Sequence, residues 1–81
     1  MSVFLEFNNL SHEQKQYLLD NYQLSYPVES ILYNLVKKDP CYLFFKRRYS
    51  EIWWDDEVKG EIVSFDEFVT KINEYKLMDM L

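Results

Sequence analysis

The chain has one glycine, one cysteine, one histidine and two prolines among its 81 residues. Each scarcity removes a class of chemistry. A phosphate-cradling loop needs several residues without Cβ, and Gly60 alone does not supply them. Cys41 has no partner for a disulfide within the chain, which fits a reducing compartment. A zinc centre needs several Cys or His ligands and is excluded. Nucleophilic catalysis needs a nucleophile, a base and an orienting group, and nothing in the spacing of Cys41 and His12 suggests that they meet. Cys41, beside Pro40, reads as a small buried apolar residue, and His12 as an exposed residue at a helix start. No enzymatic activity and no cofactor are expected. No apolar run approaches the length of a membrane span, and the N-terminus lacks the basic-then-apolar layout of a secretion signal. The expected location is the cytoplasm of a bacterial or infected host cell, with no membrane partner.

Positive charge is also scarce. Nine Lys and Arg stand against 14 Asp and Glu, for a net charge of -5. Direct nucleic-acid binding is not expected, because phosphate contacts need a clustered excess of cations. The distribution is uneven. Residues 1–36 carry net -3, residues 37–50 net +4, residues 51–67 net -6, and residues 68–81 balance. The basic stretch holds Lys37, Lys38, Lys46, Arg47 and Arg48. Asp55, Asp56 and Glu57 with Glu61 form the one acidic cluster that could hold a hard cation. Consecutive acids on a strand point to opposite faces, however, and the EF-hand spacing is absent. A solvated turn is the better reading, and no metal is assigned.

What the chain does have is apolar and aromatic content, 48% and 19% of its residues. A short chain buries only part of its unfolded surface, so a dense aromatic core is the means of stability. One α+β domain over residues 1–81 is expected. Residues 2–7 alternate as a short strand or arm. Ser11 with Gln14 forms a capping box that starts a helix over 12–22. Pro27 suits a first helical position, and Val28, Ile31, Leu32, Leu35 and Val36 follow one helix face up to the stop before Pro40. Tyr33 then falls outside. Residues 41–48 and 51–56 make a hairpin. Its turn, near 48–50, lacks Gly and Asn and so is longer than two residues. The simplest register sets Arg48 opposite Glu51 and Lys46 opposite Trp53, where cation–π stacking is available. Gly60 is expected to supply a positive φ in the second turn. Residues 61–63 form a third strand. Ser64 with Glu67 caps a last helix carrying Phe65, Phe68, Val69, Ile72 and Tyr75 inward. The architecture is helix–helix–antiparallel hairpin and third strand–helix, with residues 2–7 as an added edge strand. Helices cover one sheet face and leave the other partly open.

Trp53 and Trp54 are adjacent on a strand and face opposite sides. If one is core, the other is at least partly accessible. The aromatic count exceeds the inward-facing positions, and exposed Trp and Tyr ringed by charge is the composition of a protein-binding surface. The expected contact residues are Tyr49, Glu51, Trp53, Trp54, Asp55, Asp56, Glu57, Glu61, Asp66 and Glu67. Their acids would dock on a basic groove and steer association. In size, acidity, aromatic richness and scarcity of Gly and Pro the chain resembles small accessory proteins of bacteriophages, including anti-CRISPR proteins and DNA mimics, and toxin immunity proteins. No motif carries that likeness, so it transfers no residue. The expected function is binding and inhibition of a protein partner, a basic nucleic-acid-processing enzyme. The alternatives are a homo-oligomeric scaffold, a homodimer in its simplest form, and a nucleic-acid regulator using the Lys37–Arg48 basic stripe.

Overall fold

A computed structural model describes residues 2–35 and 39–79, with the side chain of Asp79 left out. The elements in order are β1 (Val3–Glu6), a 3-10 turn (Phe7–Asn9), α1 (His12–Asn21), α2 (Val28–Leu32), β2 (Tyr42–Lys46), β3 (Glu51–Asp55), β4 (Glu61–Ile62) and α3 (Phe65–Asp79). The four strands form one sheet in the order β3-β2-β1-β4. The fold class is the α+β arrangement expected, with helices packed on one face of the sheet.

Two strands sit differently from the expectation. β1 is an inner strand, not an edge. It pairs antiparallel with β2 and parallel with β4. The reason is in its residues. Val3, Phe4 and Leu5 are all buried, so β1 is apolar on both faces, which suits a strand in the middle of a sheet that is covered on both faces there. β4 does not extend the hairpin. It crosses to the far edge of the sheet and pairs with β1, with Glu61 N–H donating to the Ser2 carbonyl (3.1 Å) and Val63 N–H to that of Phe4 (2.9 Å). The sheet is therefore mixed. At the other edge, Gln23–Ser25 runs beside β3, giving and taking one hydrogen bond each with Ile52. That contact covers an otherwise open strand edge.

The capping box forms as read. Gln14 N–H donates to Ser11 Oγ (3.1 Å), and Ser11 N–H donates to Gln14 Oε1 (2.9 Å). On α1, Leu18 is fully buried and Tyr17 is exposed. α2 is shorter than its periodicity suggests, with Pro27 just before its first residue and not within it. Asn34 adopts φ 61°, Asn34 N–H donates to the Ile31 carbonyl, and Leu35 N–H donates to that of Ser30. This is a Schellman end, which asparagine tolerates at its left-handed position. Leu35 is consequently 75% exposed, and Tyr33 lies outside as expected. Val36, the last member of the expected face, lies outside the described residues.

The hairpin register is Lys46↔Glu51, Phe45↔Ile52, Phe44↔Trp53, Leu43↔Trp54 and Tyr42↔Asp55. It differs by two residues from the simplest one. The loop has four residues, 47–50, and Ser50 takes φ 51°. A two-residue slip keeps every side chain on its face, so the assignment of faces survives while the cross-strand partners change. Serine in the left-handed region carries a conformational cost that glycine does not. Ser50→Gly is expected to stabilise the protein by about 0.5–1 kcal/mol, a rise of about 4 °C in Tm. Thermal melts checked by circular dichroism measure it, and an unchanged or lower Tm would show that Ser50 holds the turn by its side chain.

The core lies between the sheet and the helices. Val3, Leu5, Leu43, Phe45 and Ile52 point into it from the strands, with Leu18, Val28, Ile31, Phe68 and Ile72 from the helices. Cys41, 1% exposed, is part of it.

Candidate functional site

Strand directions decide where the charges go. β1, β3 and β4 all run the same way, and β2 runs against them. β1 and β3 finish at Glu6 and Asp55, which flank Tyr42 in one cross-strand row. Asp56 and Glu57 follow Asp55 directly. β4 finishes at that same end and hands over to α3, whose first turn carries Asp66 and Glu67. Carboxylates from three separate stretches of sequence therefore meet at one end of the sheet. β2 finishes at the opposite end with Lys46, and the turn adds Arg47 and Arg48. α3 runs back toward this cation end, where the Arg47 guanidinium lies over the Tyr75 ring at 4.9 Å. The charge imbalance along the sequence becomes a charge separation in space.

The expected acidic face is thus only partly assembled. Asp55, Asp56, Glu57, Asp66 and Glu67 share the carboxylate end. Glu51 and Glu61 begin their strands at the cation end, Glu51 opposite Lys46 and Glu61 beside Val3. The acid that sequence reading missed is Glu6, because strand direction and pairing are needed to place it.

The carboxylate end is locally built. Asp55 Oδ1 accepts the Glu57 N–H (3.1 Å), a turn that aspartate makes with its own backbone. Asp55 Oδ2 lies 3.5 Å from Lys59 Nζ. The Glu57 N–H first, with Lys59 as a lesser contributor, holds the Asp55 carboxyl below the usual carboxylate range. Asp56 and Glu57 are exposed to solvent. At the other side of this end, Ser64 Oγ accepts the Glu67 N–H (3.2 Å) and fixes the start of α3.

Between the two ends, on the face away from the helices, one apolar row crosses all four strands: Trp53, Phe44, Phe4 and Ile62. Phe4 and Phe44 are in ring contact at 5.2 Å. Phe4 is buried, Trp53 and Phe44 are half-buried, and Ile62 is 51% exposed. The face expected to be open is partly covered, because the 56–60 connection passes from one sheet edge to the other and brings Gly60 against the Phe4 ring. Trp54 is on the helix side and packs against the core.

At the cation end, Trp53 is roofed by other side chains. Tyr49 stacks on it with ring centroids 5.7 Å apart. Lys46 Nζ lies 4.2 Å from the Trp53 centroid and 5.4 Å from that of Tyr49. The cation–π contact expected from direct pairing forms on the diagonal instead. Arg48 lies over the outer side of the assembly, 5.7 Å from the Tyr49 centroid. Tyr49, half exposed, is the accessible aromatic here. Beside this cluster is a cleft of about 360 Å³ lined by Ser2, Val3, Phe44, Phe45, Lys46, Arg47 and Tyr75. Lys37 and Lys38, the other members of the basic stripe, lie outside the described residues.

Among the described residues, no group of His, Cys, Asp and Glu is placed to hold a metal ion, and no helix is long and apolar enough to cross a membrane. Comparison with family profiles, curated proteins and solved structures finds no match to this chain.

Proposed function

We propose that this chain is a protein-interaction module that binds and inhibits a partner by placing its carboxylate end in a basic groove, of the kind nucleic-acid-processing enzymes use to hold phosphates. The observation that carries the reading is the convergence of Glu6, Asp55–Glu57 and Asp66–Glu67 on one end, with Lys46, Arg47 and Arg48 at the other. Carboxylates on adjacent strand and helix ends would take the positions of phosphates. An excess of negative charge at one end also orients the molecule during approach, which raises the association rate more than the final affinity. Ile62, the exposed member of the apolar row on β4, is the anchor nearest the carboxylate end.

The test is capture from a bacterial lysate at low and high salt, with the wild-type chain and an Asp56→Lys, Glu57→Lys double variant as parallel baits. The reading requires a basic nucleic-acid enzyme held by the wild type, released as salt rises, not held by the variant, and inhibited by the purified chain. Equal capture by both baits would sink it. Recovery of the bait alone would favour self-association, for which exposed Ile62 on the short edge strand β4 and exposed Leu77 and Met78 on α3 are the available surface. Light scattering over a concentration series decides that case.

A further inference from the structure

We propose that the cleft at the cation end binds a small ligand with an anionic oxygen group on a flat apolar body, the chemistry shared by nucleoside monophosphates and aromatic carboxylates. The inference does not depend on the carboxylate end, which lies at the other side of the sheet.

Three observations carry it. The first is composition. In a chain of net charge -5, the cleft is lined by two cations, two hydroxyl-bearing residues and apolar groups, and by no carboxylate among the described residues. Its volume of about 360 Å³ falls at the lower end of small-ligand pockets, roughly 300–1,000 Å³.

The second is the state of Lys46. Its cross-strand neighbour is Glu51, yet no carboxylate stands within ion-pair distance of Lys46 among the described residues. The ammonium is held by ring faces instead, those of Trp53 and Tyr49. A cation–π contact positions a charge without using its N–H donors. Lys46 is therefore an oriented cation with hydrogen bonds still to give, on a site edge where an anion gains a charge-assisted bond.

The third is the shape of the apolar lining. Phe44 and Phe45 of β2 and Tyr75 of α3 are among its lining residues, so the cleft is bordered by aromatic residues of both sheet and helix. Ring faces favour a planar body. Tyr75 and Ser2 add hydroxyls that can donate to the same anionic group.

The experiment is a nuclear magnetic resonance titration of the ¹⁵N-labelled full chain with four probes: adenosine monophosphate, adenosine, benzoate and inorganic phosphate. Saturable shifts are expected at Ser2, Val3, Phe44, Phe45, Lys46, Arg47 and Tyr75. Saturation by adenosine monophosphate but not benzoate identifies a phosphate ligand; saturation by benzoate identifies a carboxylate. Adenosine and inorganic phosphate should each bind much more weakly, since each lacks half of the required chemistry. Lys46→Gln should weaken binding about tenfold, the loss of one charge-assisted hydrogen bond. Lys15→Gln removes the same charge from α1, where Lys15 Nζ donates to Asn34 Oδ1 away from the cleft, and should leave the affinity unchanged. The proposal is overturned if no probe gives a saturable shift up to about 10 mM, if adenosine or phosphate alone binds as tightly as the monophosphate, or if both substitutions weaken binding equally.

Discussion

Replacing Gly60 by alanine is expected to lower the unfolding free energy by about 2–3 kcal/mol, the cost of forcing an extra group into filled space. In a domain of this size that is a fall of about 10–20 °C in Tm. The cause is a close approach and not a special backbone angle. A Cβ on Gly60 would overlap the Ser2 carbonyl oxygen and stand 3.2 Å from Phe4 Cε1. The obstacle is backbone, and it is engaged backbone, because the same carbonyl accepts the Glu61 N–H. Relief by moving Ser2 would strain the first hydrogen bond between β1 and β4. Relief by moving residue 60 would disturb the connection that covers Phe4.

The sequence-based expectation for Gly60, a positive φ, makes a different prediction, and the two are separable. No glycine has a positive φ in this fold. Under the angle account, asparagine at position 60 would be tolerated better than alanine, since asparagine enters the left-handed region readily. Under the contact account asparagine is at least as bad as alanine, because it carries the same Cβ and more beyond it. Urea denaturation of Gly60→Ala and Gly60→Asn ranks them. An asparagine variant clearly more stable than the alanine variant would restore the angle account. The exchange of Glu61 and Val63 amide protons, expected to quicken in both variants, locates the damage at the β1–β4 pairing.

The parts of this fold legible in the sequence are those set by neighbours along the chain. The Ser11–Gln14 capping box, the Ser64 cap, the stripe Phe68–Ile72 and the opposite faces of Trp53 and Trp54 depend on spacing within a few residues. What sequence reading misplaced depends on choices made at a distance. The short α2 follows from Asn34 accepting a left-handed conformation, a local signal outweighed by the periodicity of Leu35 and Val36. The edge assignment of β1 fails because a four-residue run has too little pattern to show that both faces are apolar. Val3, Phe4 and Leu5 in succession were the available sign. The grouping of acids fails for a topological reason. Whether Glu51 and Glu61 join Asp55 depends on which end each strand starts from and on β4 leaving the hairpin for the far edge, and neither is encoded in charge or spacing.

The same topology sets the second large effect. Reversing Asp56 and Glu57 together to lysine is expected to weaken binding to a basic-grooved partner about 100-fold, from roughly 1–1.5 kcal/mol for each of the two reversed charges. Both side chains are exposed at the carboxylate end, so the fold should be untouched and the circular dichroism spectrum unchanged. Asp55 is left alone because its carboxylate closes the turn through the Glu57 N–H. Much of the loss should lie in the association rate, because exposed charge steers the approach before contact, over a screening length of about 10 Å at 0.1 M salt, and reversed charge turns that attraction into repulsion. Ile62→Ala should act the opposite way, raising the dissociation rate with little change in association, because an apolar anchor works only after contact. Glu51→Lys supplies the discriminating case. It reverses the same kind of charge at the cation end, where it should cost little. Equal losses from Glu51→Lys and from a single reversal at Asp56 would mean that only net charge matters and that no end of the molecule is the docking end. Acidity gives a further check on the same assignment. The Asp55 carboxyl is held below the usual carboxylate range by the Glu57 N–H first and by Lys59, so its contribution to binding should persist until the pH falls below that range.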